Sequence, residues 1–579
     1  MTPLPYPPGP FMAYATFFAT IALASIAWTA FWTAAAARLR HAWARHLLGA
    51  IGLGLPLFVG SVQLLAAVFL AYERGLRPNW CPAVLATVLA AAVGCVGVFR
   101  AGTHTDAPWA APPARSWSAA CLFVIWLGTA TVACFLLAAI DHRIAAEARA
   151  MRAQAAALML ETLPAPQPAF DAGRLHARIA AALAADPALT EDGGLLAAKA
   201  KRPSADAIAA LLARHADMLD TIRRAADLPG CRFVGDWTRP AVDTSLPEAK
   251  PMLAESRFLA LAARHEAESG ALAEALADTC RIAGLGRHAA AQPSLVWQRV
   301  ATEIETSALE TLAAVLPAIG PDDDRLLDGA AIDALFAPLA FSARDLAADD
   351  ALLLHTLAGI ADGRIPLFRD PFGIGTVPFV PQDPHDLASA PLTLFHRMFL
   401  LPGDIVACRE TFRRMRRTLD STADRPGSWP ELAAGLSDVE DDIRGGRIGG
   451  LFAASMLPAV TPVARSRTAL AAKREAARVL VAATRHRLAT GTLPDSLEDL
   501  VPSRLPVVPI DPFTGGAQIS MASRPEGLVA WSVGPDRVDQ GGPPLPGTDP
   551  EGQNGAVARD DVGLWLPAAS SPSLSSEAD

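Results

Sequence analysis

The residues best placed to do chemistry lie near the C-terminus. Asp511-Pro512-Phe513-Thr514-Gly515 is followed by Trp531-Ser532-Val533-Gly534-Pro535-Asp536. Beyond Trp531 the chain carries Asp536 and Asp539, then Gly541-Gly542, and returns through Asp560-Asp561. Carboxylates on a flexible, glycine-rich loop supply hard oxygen ligands, which calcium takes in sets of roughly six to eight. The expectation is a structural Ca2+ that staples the loop, weighed against a hairpin with a solvated acidic loop and no ion. Elsewhere the chemistry-bearing types read as architecture. Asp322-Asp323-Asp324 opens helical text after Gly320-Pro321, where carboxylates favour the positive end of a helix. His265-Glu266 begins like a zinc-protease motif, but position 269 is Ser269. Cys231, Cys280 and Cys408 have no CxxC or Cys/His spacing of a zinc or haem site. With no G-x-S-x-G and no Walker A loop either, no catalytic residue is assigned and an enzyme is not expected.

Short elements must position the acidic loop. A helix through Arg478-Val479-Leu480-Val481 and Arg485-His486-Arg487-Leu488 ends near Gly491. Thr492-Leu493-Pro494 then leads through Leu500-Val501-Pro502 to Val508-Pro509-Ile510-Asp511. Gln518-Ile519-Ser520-Met521 and Leu528-Val529-Ala530-Trp531 alternate sides about Arg524-Pro525-Glu526-Gly527, the signature of a hairpin.

This order of helix, Gly-x-x-Pro-x-x-Leu, Leu-x-Pro, x-Pro-x-Asp-Pro-Phe, two strands, Ser-x-Gly-x-Asp, Gly-Gly and Asp-Asp resembles the C-terminal domain of type II secretion major pseudopilins. The resemblance implies a calcium loop. By position Asp536 and Asp560 match its aspartates, the Val533 carbonyl supplies a backbone ligand, and Asp539 and Asp561 extend the set. The chain departs from the family in having no basic leader before Gly9-Pro10-Phe11-Met12, in the inserted Gly542-Pro543-Pro544-Leu545-Pro546, and in Arg537 where glycine is common. A second resemblance rests on Leu228-Pro229-Gly230-Cys231-Arg232-Phe233, on Asp236-Trp237 and on the helical hairpin after Pro251. These look like uncharacterised bacterial (planctomycete-type) multi-span membrane proteins that join a helical region to a pseudopilin-like end. That likeness implies an architecture and no activity.

Composition points the same way. Of 579 residues, 51% are hydrophobic and only 19% charged, more apolar than an ordinary soluble chain. Residues 11–36, 47–72, 80–99 and 116–140 contain no Asp, Glu, Lys or Arg, and each is long enough to cross a hydrocarbon core of roughly 30 Å as a helix. Trp28, Trp32, Trp43, Trp80 and Trp117 lie near their ends. The start lacks a basic n-region, so the first span is expected to remain as an anchor. Basic residues divide evenly between the two sides. The cluster Arg38, Arg40 and Arg45 after the first span favours an outward N-terminus and an extracytoplasmic C-terminal domain. A net charge of −9, with no basic stripe, gives no reason to expect a nucleic-acid partner. The spans carry no buried ionisable group, which disfavours transport.

Between these ends, residues 205–227, 247–268, 271–290 and 294–316 read as amphipathic helices, the middle two joined at Glu268-Ser269-Gly270. A proline-rich loop over 364–390 separates them from helical text over 392–419 and 463–489. The expected fold is mainly α: a four-helix transmembrane domain (1–140), an α-helical extramembrane domain (141–460), a pseudopilin-like α+β module (461–567) and a disordered tail (568–579). The expected role is a multi-pass inner-membrane envelope scaffold with the lipid bilayer and envelope proteins as partners. An envelope enzyme is the alternative and a transporter comes last.

Overall fold

The structure is a computed structural model that describes residues 142–160, 171–186, 204–233, 248–337, 341–362, 401–422, 427–445, 451–544 and 560–568, with a few isolated positions besides. The chain divides into two compact units. One comprises Met1–Met151, Ala358–Arg369 and Phe379–Pro402, and is described mainly as helical turns over 142–151. The other comprises Arg152–Leu357, Asp370–Pro378 and Gly403–Asp579, and holds every side chain discussed below.

After helical turns over 152–160, the second unit continues with α1 (Gly173–Ala185), α2 (Ala205–Arg214) and α3 (Ala216–Ala226). On α1 the buried positions His176, Ile179 and Leu183 follow helical spacing, so a histidine lies on the apolar stripe. Ser204 caps α2, its hydroxyl accepting from Ala207 N–H at 3.3 Å. The long helices α4 (Ala249–Glu268), α5 (Leu272–Ala290) and α6 (Leu295–Val315) pack on one another and form the core of the helical region. α4 and α5 make the expected antiparallel hairpin about Gly270, whose positive φ suits the turn. α7 (Ala330–Leu335), α8 (Ala347–Ala361), α9 (Leu401–Thr422), α10 (Trp429–Arg444) and α11 (Leu451–Thr490) follow.

α11 carries Arg465, Arg467, Lys473, Arg474, Glu475, Arg478, Arg485 and Arg487 along its length. Arg474 and Arg467 reach Glu305 of α6 where all three side chains are buried, and Lys473 pairs with Glu310 at 2.7 Å. The antiparallel sheet β1 (Ser520–Arg524), β2 (Gly527–Ser532) and β3 (Val562–Pro567) lies against α11 in the order β1-β2-β3. The hairpin is where the sequence places it. The third strand, which pairs Val562 with Ser532, is an addition.

The expected four transmembrane helices, and the multi-pass inner-membrane localisation built on them, are corrected by these elements. Among the described residues no helix is long and apolar enough to cross a membrane. The long helices carry charge at intervals shorter than a membrane span, as in Asp404, Arg409, Glu410, Arg413 and Arg414 of α9. Apart from Phe31 and Ala139, the segments 11–36, 47–72, 80–99 and 116–140 lie outside the described residues, as does the 364–390 loop.

Candidate metal centre

The densest arrangement of potential ligands is buried among α1, α4, α5 and the segment that follows α3. It begins with a backbone clasp. Ala172 N–H donates to the Gly230 carbonyl at 2.8 Å, while one oxygen of Asp171 accepts from Gly173 N–H at 2.9 Å and Arg232 N–H at 2.8 Å. Gly173 makes the approach possible, since a Cβ there would lie 2.3 Å from the Arg232 carbonyl oxygen. The clasp brings His176, one helical turn further along α1, to Cys231. Gly284 performs the same service on α5, where a Cβ would lie 2.8 Å from the Ala226 carbonyl. This close contact sets the end of α3 beside the last turns of α5, which carry His288.

His176, Cys231 and His288 converge there, all buried, with their ligand atoms within 4.8 Å of one another. His176 Nε2 and His288 Nδ1 face each other at 3.2 Å. The remaining nitrogens are anchored outward: His288 Nε2 is 2.8 Å from the Leu228 carbonyl, and His176 Nδ1 is 2.7 Å from Glu255 Oε2. A carbonyl only accepts, so His288 Nε2 donates and its Nδ1 lone pair points inward. Gln292 Nε2 donates to the Cys231 carbonyl at 2.9 Å, which steadies the third member. Phe233 stacks on Trp297 at 4.7 Å between ring centroids and closes the site on one side.

Burial sets the protonation of this cluster. It pushes His288 down to about 4, with His176 adding to the effect, so the ring is neutral in the form that binds metals. Burial pushes the Glu255 carboxyl up, while His176 pulls it back. The Cys231 thiol is pushed up by burial first and by the carboxylates of Asp171, Glu255 and Glu248 next, so without a cation it holds its proton. Glu255 Oε1 is buried without a hydrogen-bond partner.

A cavity of about 440 Å³ opens beside the cluster, lined by Cys231 and His288 together with Leu228, Cys280, Arg281 and Arg287. Arg281 is held in place by Asp227 at 3.0 Å and Asp278 at 2.8 Å.

The acidic loop at the C-terminus is ordered by its own hydrogen bonds. Asp511 accepts from Phe513 N–H, the Ser532 hydroxyl and Val533 N–H, so it builds the turn. Asp536 accepts from Val538 N–H and the Gln540 amide, and Asp539 accepts from the Trp531 indole and Gly541 N–H. Asp560 is exposed and its N–H donates to Gln540 Oε1. Asp561 spends one oxygen on Gln540 N–H and Gly542 N–H, and its other oxygen is buried without a partner. Among the described residues these aspartates do not converge as a ligand group; the one group that does is His176, Cys231 and His288. Arg537 has φ +60° and is the one non-glycine residue with positive φ among those described.

Sequence spacing hides the His176–Cys231–His288 group because His176 and His288 are 112 residues apart. The readable signal is a histidine in register with Ile179 and Leu183 on an apolar helix stripe. Comparison with known protein families, curated proteins and solved structures finds no match to any of them.

Proposed function

We propose that this chain is a metalloprotein that holds a divalent ion of the zinc class at His176 Nε2, His288 Nδ1 and Cys231 Sγ. The observation that carries the reading is the pair of histidines. Their inner nitrogens are 3.2 Å apart while each outer nitrogen is tied to a carboxylate or a backbone carbonyl. Tetrahedral zinc with bonds of about 2.0–2.1 Å to nitrogen separates two such atoms by roughly 3.3 Å. The outer hydrogen bonds are those that orient histidine ligands and raise their basicity. Two imidazoles and a thiolate suit zinc, or copper and cobalt in its place.

Charge supports the same reading. Ligation removes one proton from the Cys231 thiol and one from the Glu255–His176 pair. Thiolate and carboxylate together then neutralise a divalent ion, so the buried site carries no net charge. Three protein ligands leave a fourth position, as in catalytic zinc sites, and the adjoining cavity lets a small molecule reach it. The reading therefore favours metal-assisted chemistry over a purely scaffolding role.

The test is thermal melting of the full chain, stripped with chelator and reloaded with zinc. An ion that binds only the folded state raises the melting temperature. Wild type is expected to respond, and Cys231→Ser and His288→Ala are not. An equal response in all three would sink the proposal.

A second reading, structural calcium in the loop carrying Val533, Asp536, Asp539, Asp560 and Asp561, is favoured by one observation: the unpartnered, buried oxygen of Asp561. Melting of an Asp561→Asn variant with and without calcium separates it from the first. Calcium is expected to raise the wild-type melting temperature alone, and no rise in wild type would rule the loop ion out.

A further inference from the structure

The cavity beside the metal centre is built mostly from small side chains. Ala226, Gly230, Ala277, Gly284, Ala291, Ala331 and Ala334 leave room from the loop after α3 across to α7. Its charged groups are Asp227, Arg281 and Arg287. Asp227 and Arg281 neutralise one another, and Arg281 also donates to the fully buried Asp278. Arg287 is different. It is exposed at the cavity and, among the described residues, no hydrogen bond or ion pair engages its guanidinium. It precedes His288 directly, so its charge lies next to a proposed metal ligand and shares the cavity wall with it.

A divalent ion held by His176, Cys231 and His288 adds a vacant coordination position at the same wall. The lining then holds one guanidinium without a counter-charge, that of Arg287, beside an ion with a vacant coordination position whose charge the Cys231 thiolate and the Glu255 carboxylate balance. The geometry points to an anion-binding site: the cavity takes a small molecule bearing a carboxylate or phosphate. Its anionic group docks on Arg287 while an oxygen reaches the metal. Guanidinium is suited to this role because its planar fork matches both groups with two parallel N–H···O bonds. A volume of about 440 Å³ admits a metabolite-sized ligand and excludes a folded macromolecule. This inference rests on the metal reading above, since without an ion the cavity has a single unpaired cation.

The experiment uses the full chain loaded with cobalt(II), whose visible absorption bands report on coordination, titrated with inorganic phosphate and, separately, with acetate. A saturable change in the bands with either anion is expected, and the anion effective at lower concentration identifies the headgroup. Arg287→Gln is expected to raise the concentration needed by roughly tenfold, the loss of one charge-assisted contact. It should leave cobalt stoichiometry and the anion-free spectrum unchanged, and Arg287→Lys should recover part of the effect. If wild-type bands do not move with either anion, or Arg287→Gln responds at the same concentration as wild type, the anion site is overturned. Cobalt uptake separates the two ideas. Full uptake with no anion response removes only the anion site, whereas no uptake removes the metal centre and the anion site together.

Discussion

Glu255 is the residue on which the proposed metal centre turns, although it would not touch the ion. Its carboxylate fixes which nitrogen of His176 carries the proton and therefore which lone pair faces Cys231 and His288. Glu255→Gln keeps the shape and loses the charge. Metal affinity is expected to fall about 10–100-fold, as for other carboxylates that support a histidine ligand. Competition with a chromophoric chelator measures this, and unchanged affinity would mean that Glu255 is merely packed there.

A second residue-scale prediction concerns Asp349. Its carboxylate accepts from Leu295 N–H at 2.7 Å, and burial pushes it up to about 7. An unfolded aspartate releases its proton near pH 4 (roughly), so between about pH 4 and 7 the folded state holds a proton that the unfolded state has lost. Stability therefore falls as pH rises through that window, by roughly 4 kcal/mol in all, and the loss is complete above it. Asp349→Asn should flatten this slope in urea titrations across the range. A slope equal to wild type would show that other groups carry the dependence.

At the scale of elements, the helices between 249 and 315 are legible because alanine and leucine keep helical spacing and Gly270 and Ser294 punctuate it, whereas the single helix expected over 205–227 is two, broken at His215. The observed α4, α5 and α6 begin and end within a few residues of the expected bounds. The hairpin β1–β2 is legible for the same kind of reason, an alternation about a tight turn. The metal centre is not, because its members come from α1, the loop after α3 and α5, and only tertiary packing joins them. Asp171 is the element-scale determinant of that packing. Asp171→Ala removes an acceptor shared by Gly173 N–H and Arg232 N–H, and about 1–3 kcal/mol of stability is expected to go with it. Metal affinity should fall too, since α1 is no longer clasped to Cys231. A chemical-denaturation series and the chelator competition read the two effects separately. The C-terminal loop offers the opposite test. Arg537→Gly relieves a left-handed conformation and should stabilise the chain by about 0.5–1 kcal/mol, less if the glycine's extra freedom when unfolded offsets it.

At the scale of the molecule, one long helix joins the helical region to the sheet. α11 runs without a break from Leu451 to Thr490, pairs with α6 through Glu305 and carries the sheet on its surface. The C-terminal sheet and the helical region therefore share one continuous element. Glu305→Ala strands Arg474 in the interior and takes one carboxylate from Arg467, and a loss of about 3–5 kcal/mol is expected, enough to threaten folding of the unit as a whole. Circular dichroism melts should show one cooperative transition moved to lower temperature; two separate transitions would mean that the parts fold independently.

The central claim is that His176, His288 and Cys231 hold one metal ion. It is tested most directly by X-ray absorption at the zinc edge on the reloaded full chain. The account predicts one zinc per chain with two nitrogen neighbours at about 2.0 Å and one sulfur at about 2.3 Å, the sulfur shell vanishing in Cys231→Ser. A shell of oxygen and nitrogen alone in the wild type, or no retained zinc, would contradict it.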